Sequence, residues 1–192
     1  MAQGLNPIEI YQGAAQAMIP TVGSVTAAQL GSNTPCIEWT VKNLINHNIN
    51  TQNFLQATLT GAQIDPATMF NVDGDLPQEG GEAALKSIID QVISTANTMD
   101  LSTIVATPFG EMPAGNFIMF PMLDLVIHRW DLASALGQDN TIDSSMAEIC
   151  VGILGPEALA GGRQQGAFGS EVIIPASGSI QDKLLGSVGR TP

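Results

Sequence analysis

Apolar residues recur every three to four positions in four separate stretches, and each stretch predicts an amphipathic helix. Over residues 6–29 the stripe is Ile10, Ala14, Ala17 and Met18, with Asn6 as N-cap, Pro7 at the first helical position and Glu9 in the first turn. Pro20 is expected to kink or split this helix. A turn-rich connection, GSNTPC at 31–36, follows. Thr40 caps a second helix, with Trp39 and Leu44 spaced as a hydrophobic staple around the cap. Val41, Leu44, Ile45, Ile49 and Leu55 form its buried stripe, and Asn43, His47, Asn50 and Thr51 form a polar stripe beside it.

Residues 61–81 turn to Asp, Pro, Gly and Asn and read as a long surface loop. Asn71, Asp73, Asp75 and Glu82 fall on ligand positions of a calcium loop, but Leu76 stands where its sharp turn needs glycine, so the stretch reads as an acidic loop. A third helix is expected over 82–99, with Leu85, Ile88, Ile89, Val92 and Ile93 inward. TIVATPFGEM at 103–112 is too β-branched, and too broken by Pro108 and Gly110, for a helix; a short hairpin or extended crossover fits. MFPMLDLVIHRWDLASALG at 119–137 predicts the last bundle helix, with Met119, Met122, Leu123, Val126, Ile127 and Trp130 on its apolar face and Gly137 as C-cap.

Beyond it the pattern predicts one helix over 144–159, weakened by Gly152 and Gly155. GGRQQGAFG reads as flexible, 172–175 as extended and 180–188 as a short terminal helix. The expected architecture is all-α: one domain over 1–192, with a helical bundle at about 5–137 and a helix-plus-extended tail at 138–192.

Composition narrows the function classes. Six basic residues against eighteen acidic ones give a formal charge of −12 with no Lys/Arg cluster, which argues against nucleic acid or an anionic membrane as partner. The segment 1–10 lacks the basic start and apolar centre of a secretory signal. Two cysteines, Cys36 and Cys150, are too few for a disulfide framework, so a cytoplasmic location is expected and both read as small buried hydrophobes. GGRQQGAFG is no phosphate loop, because no Gly-Lys-Ser/Thr follows, and no Gly-x-Ser-x-Gly elbow supports serine hydrolysis.

Three polar residues stand beside the apolar face of the last bundle helix. Asp124, His128 and Asp131, at i, i+4 and i+7, stack along one stripe. A carboxylate and an imidazole are costly to bury unless paired, and a metal ion would pair them. The only other histidine, His47, lies about two turns inside the second helix. His47, Asp124 and His128 would make a two-histidine, one-carboxylate set with open positions, suited to zinc, with nickel or iron as alternatives. The competing reading is a metal-free scaffold in which Asp124 and His128 hydrogen-bond and His47 is a core histidine. Asp131 is an acceptor that orients His128, an additional acid near the substrate, or a surface carboxylate paired with Arg129 or solvent.

TPCIEWTVKNLINHNI at 34–49 resembles the second-helix signature of the mycothiol-dependent maleylpyruvate isomerase N-terminal domain family, part of the DinB-like superfamily. PFGEMP at 108–113 and DLVIHRWDLASALG at 124–137 resemble its later signature, and the ending from Phe168 resembles an uncharacterised actinobacterial-type branch. The resemblance implies a DinB-like four-helix bundle with a divalent metal at one end, whose ligands fall on His47, on Asp124 where the isomerase relatives carry Glu, and on His128. It also implies a low-molecular-weight thiol, mycothiol or similar, as cosubstrate, activated as a thiolate toward a small electrophile in S-transfer or isomerisation. The isomerase proper carries an additional C-terminal domain, and fewer than sixty residues follow Gly137 here. Transfer is therefore expected before maleylpyruvate isomerisation. A non-catalytic bundle that binds metal or a small ligand is the alternative, and a homodimer through apolar outer faces is compatible with either.

Overall fold

Four of the expected helices pack side by side. The structure, a computed structural model, describes residues 6–192, so the expectation for the first few residues lies outside the described part. Two compact units result, Met1–Gly137 and Gln138–Pro192. The first is an all-α bundle of α1 (Pro7–Gly23), α2 (Val41–Thr60), α3 (Gly81–Thr98) and α4 (Ala114–Leu136). α1 packs on α3 and α4, and α2 packs on the same two. The order around the bundle is therefore α1, α4, α2, α3. Helices that follow one another in sequence sit diagonally at two of the three connections, and α2 lies against α4.

Local chemistry explains most of the boundaries. Asn6 accepts from Ile8 N at 3.0 Å to start α1. Pro20 stays inside α1, which runs three residues further and then gives way to a separate 3-10 turn, Ala27–Gln29, in place of one helix to residue 29. Thr40 and Asn43 form a reciprocal capping box for α2: Thr40 Oγ1 accepts from Asn43 N at 3.3 Å, and Asn43 Oδ1 accepts from Thr40 N at 2.9 Å. Gly61, at φ +73°, closes that helix in the left-handed conformation that glycine tolerates.

The expected hairpin forms from β1 (Ile104–Thr107) and β2 (Gly110–Pro113), antiparallel with Val105 opposite Met112. α4 then begins five residues earlier than its apolar stripe suggested, because Ala114 N and Gly115 N donate to Thr103 O and Leu101 O at 2.8 and 2.9 Å. Backbone carbonyls here replace a side-chain cap. The helix is also buried almost all round: Phe117, Ile118, Leu125 and Leu132 are inside along with the expected Met122, Leu123, Val126, Ile127 and Trp130. A single broad apolar face was expected; α4 instead buries residues on most of its circumference.

The second unit corrects two expectations. The helix expected over 144–159 is split into α5 (Ser144–Ile153) and α6 (Pro156–Gln164). Pro156 cannot donate within a helix and pushes Gly155 into an extended conformation, φ −64° and ψ 166°. The segment read as flexible is in part the last turn of α6, and the Phe168 ring lies where a side chain on Gly162 would stand. The terminal helix α7 (Ile180–Ser187) is as expected, with Ser179 and Asp182 in a capping box. Cys150 is fully buried, and burial pushes its thiol pKa up to about 12, so it behaves as an inert hydrophobe. No helix among the described residues is long and apolar enough to cross a membrane.

Candidate metal centre

His47 is 4% exposed on α2, and its Nδ1 lies 2.8 Å from the Met69 carbonyl oxygen. A carbonyl only accepts, so Nδ1 holds the ring proton and donates it, and the Nε2 lone pair is left for a ligand. Met69 belongs to the 3-10 turn Pro66–Phe70, inside the stretch expected as a surface loop. That stretch is in fact stitched to α2. Asn43 and Asn46 both donate to Val72 O at 3.0 Å, Asn46 reaches Gly74 O at 2.8 Å, and Asn50 donates to Asn71 O at 3.0 Å. The polar stripe of α2 thus satisfies the loop's carbonyls, and the loop in turn orients His47. Of the acidic groups in the calcium pattern, Asp73 accepts from Asn43 Nδ2 at 3.2 Å and Asp75 faces Lys42 Nζ at 4.0 Å.

His128 is held in the same manner. Its Nδ1 lies 2.9 Å from Asp131 Oδ2, and Asp131 has no exposed surface. The geometry is that of an acceptor that orients the ring, and again Nε2 is left with its lone pair. Burial holds the His128 pKa below the ordinary imidazole value; the Asp131 hydrogen bond acts in the opposite sense, and the nearby His47 adds to the lowering. His128 is therefore neutral near pH 7, as a metal ligand must be.

Because α2 lies against α4, the two rings meet edge to face with centroids 5.1 Å apart. Asp124, one turn before His128 and half-exposed, brings Oδ2 to 3.6 Å from His47 Nε2. Ligand atoms of His47, Asp124 and His128 all lie within 4.8 Å of one another. Tetrahedral zinc with bonds of about 2.1 Å sets its ligand atoms about 3.4 Å apart, so this donor set needs little closure. Two lone pairs freed by built-in acceptors, with a carboxylate between them, fit a divalent cation. Thr51 Oγ1 also lies 3.5 Å from His47 Nε2.

Sequence reasoning missed three neighbours. Trp39 lies 4.5 Å from the His47 ring and 5.9 Å from the His128 ring, and Phe70 lies 5.7 Å from His47. Cys36, expected to be buried, is half-exposed, and its sulfur lies within 4.8 Å of ligand atoms of His128 and Asp131. Spacing within one helix cannot show a loop folding over a ring, and no residue type marks Met69 as the carbonyl that His47 needs.

The depressed His128 pKa sets a pH dependence for the metal-free fold. The unfolded imidazole takes a proton below its ordinary value of 6.5 while folded His128 resists it. Stability is therefore full above 6.5 and is lost as pH falls from there through the lower folded value. Thermal melts of chelator-treated protein from about pH 7.5 to about pH 5.5 are expected to show this loss, with a shallower slope in His128→Asn. Identical slopes in the two proteins would contradict the assignment.

Two uncharacterized proteins of Mycobacterium tuberculosis, Rv0738 and MT0763, are each 29% identical to this chain over 191 residues, 97% of this chain and 99% of theirs. The crystal structure of a mycothiol-dependent maleylpyruvate isomerase superposes with a TM-score of 0.62 at 15% identity, over 75% of this chain and 66% of that one, which is a likeness of fold. Residues 11–133, which span His47, Met69, Asp124, His128 and Asp131, match the family described as mycothiol maleylpyruvate isomerase N-terminal domain. The chain belongs to that family.

Proposed function

We propose that this chain is a metal-dependent S-transferase for a low-molecular-weight thiol, mycothiol or a relative of it, with His47, Asp124 and His128 as metal ligands and zinc as the first expectation. The observation that carries this reading is the pair of matched acceptors, Met69 O at 2.8 Å and Asp131 Oδ2 at 2.9 Å, which leave both Nε2 lone pairs for a ligand beside Asp124. A divalent cation bound there supplies a lowered thiol pKa, so that a thiolate is available at neutral pH. The chain's own part is to fix both imidazoles, keep His128 neutral and cover one side of the site with Trp39 and Phe70. The thiol gives its S–H proton to solvent, its sulfur bonds to one carbon of the electrophile's activated double bond as that π pair moves to the far atom, and the far atom takes a proton back from solvent. A transferase releases that adduct, whereas an isomerase breaks the same bond after rotation about the carbon skeleton.

Metal content by mass spectrometry, on protein purified without a histidine tag, tests the reading. Near-stoichiometric zinc, nickel or iron is expected in the wild type and less than about a tenth of it in His47→Ala. Equal metal in both proteins would remove the ligand assignment.

One observation favours a second reading, a non-catalytic binding bundle. Two concavities of the first unit, about 460 Å³ beside Leu30, Thr40 and Asp73 and about 260 Å³ beside Phe54, Ile64 and Pro108, are lined by none of the three ligands and offer room for a ligand away from them. Saturable ligand binding without turnover, with several thiols supplied, would decide for it.

A further inference from the structure

We infer that the Thr51 hydroxyl is the hydrogen-bond donor to the thiol sulfur at this centre, favouring the sulfur as an anion over the thioether it becomes. The identity of that ligand rests on the thiol-transfer reading, whereas the state of the Thr51 hydroxyl is independent of it.

A threonine inside a helix ordinarily spends its hydroxyl on the carbonyl four residues back. In this chain Thr21, Thr58, Thr60 and Thr98 donate to Ala17 O, Phe54 O, Gln56 O and Ser94 O at 3.0, 2.9, 2.9 and 3.3 Å. Thr95 accepts from Gln56 Nε2 at 3.0 Å. Thr51 does neither. It lies in the middle of α2 and is 2% exposed, and the one hydrogen-bond partner of its Oγ1 among the described residues is His47 Nε2 at 3.5 Å. A good O–H donor sits about 2.5–3.0 Å from its acceptor, so this contact is a weak one. The hydroxyl is therefore turned away from its own helix and toward the metal centre, where it is buried and poorly satisfied. Buried polar groups are normally hydrogen-bonded, and one left short beside a binding centre marks where an atom of the ligand completes it.

The lone pair that Thr51 faces is also the one offered to a cation, since His47 Nδ1 is committed to Met69 O. With that lone pair engaged, the hydroxyl proton needs another acceptor. Zinc takes nitrogen, thiolate and carboxylate ligands in preference to a neutral hydroxyl, so Thr51 is not an added ligand of the ion. What it can do is donate to whatever fills an open position beside Nε2. Asp124, the other group there at 3.6 Å, accepts when ionised and cannot supply such a bond. An anionic sulfur accepts it well because one partner is charged. A thioether sulfur is neutral and a weak acceptor. The bond is thus made with the cosubstrate and lost with the adduct, which favours release of the product.

Titration of the cobalt-loaded full chain with 2-mercaptoethanol and with its S-methyl thioether, followed by the cobalt absorption, tests this in wild type, Thr51→Val and Thr51→Ser. The valine keeps nearly the same shape without the hydroxyl, and the serine keeps the hydroxyl without the methyl group. Thr51→Val is expected to weaken the thiol about tenfold and Thr51→Ser less than about threefold, with no difference among the proteins toward the thioether. Metal affinity by chelator competition is expected to be undiminished in Thr51→Val. Metal-free Thr51→Val is expected to melt no lower than wild type, because the hydroxyl it removes is poorly bonded. Unaltered thiol affinity in Thr51→Val, or an equal loss toward the thioether, would overturn the inference. So would a loss of metal affinity, which would make Thr51 a partner of the ion or of Asp124, and a lower metal-free melting temperature, which would make its hydroxyl structural. All four would leave the transferase reading intact. Thiol binding that weakens in Thr51→Val, without conjugation to any electrophile supplied, would sink the transferase reading and leave the Thr51 contact standing. A wild type that takes up no metal would sink both.

Discussion

His128→Ala is expected to strip the metal and, separately, to destabilise the metal-free fold by about 3 kcal/mol. The second effect arises because Asp131, with no exposed surface, loses the Nδ1 donor at 2.9 Å and remains in the interior of α4's packing. For a chain of this size that loss corresponds to about 6 to 12 °C in melting temperature. His47→Ala makes the useful contrast. Its Nδ1 partner is a neutral backbone carbonyl, Met69 O, on a loop that the asparagines of α2 hold independently. Losing that bond costs about 1 kcal/mol. Both variants should therefore empty the site equally while differing in metal-free stability, with the double variant His128→Ala, Asp131→Ala recovering part of the loss. Equal destabilisation by the two single variants would mean that Asp131 is not sustained by His128.

Much of this was legible in the chain because the signals are local. Thr40, Gly61, Pro7 and Gly137 act on their own neighbours' backbone groups, so caps and helix ends follow from residue type. The hairpin was legible for the same reason, since Pro108 and Gly110 break a β-branched run at its turn. The i, i+4 spacing of Asp124 and His128 places both on one side of α4 whatever surrounds the helix. Periodicity, however, says which face is apolar and not which helix covers it. That α2 and not α3 lies beside α4's donors follows from the diagonal order of the bundle, which depends on how the connections before α2 and before α4 cross. The loop at 61–81 is the surface loop its composition indicated, but its part in the site was not legible because that part is made by carbonyls, which every residue has. The asparagines that bind them, Asn43, Asn46 and Asn50, sit on α2 and were the detectable half of the arrangement. Cys36 was misread because its neighbours, His128 and Asp131, are about ninety residues away along the chain.

Asp131→Asn is expected to lower metal affinity about 10- to 100-fold while leaving the metal-free fold as stable as wild type or slightly more so. The opposed signs follow from what the side chain does. As a carboxyl group it accepts from His128 Nδ1 and so keeps the ring proton away from Nε2. An asparagine amide can accept through its oxygen, but it can also turn its NH₂ toward Nδ1, which moves the ring proton to Nε2 and occupies the lone pair a metal needs. Even in the accepting orientation the amide is the weaker partner and makes the imidazole a poorer donor to the ion. For stability the exchange runs the other way, because an amide costs less than a carboxylate to hold at zero exposure. Affinity by chelator competition and stability by denaturant titration of the metal-free protein read the two effects separately. A residue that merely fills space in α4's surroundings would lose both together. Unchanged affinity would show that the orientation of His128 is set by packing alone, and the acceptor pair on which the metal reading rests would then have only one working member, Met69.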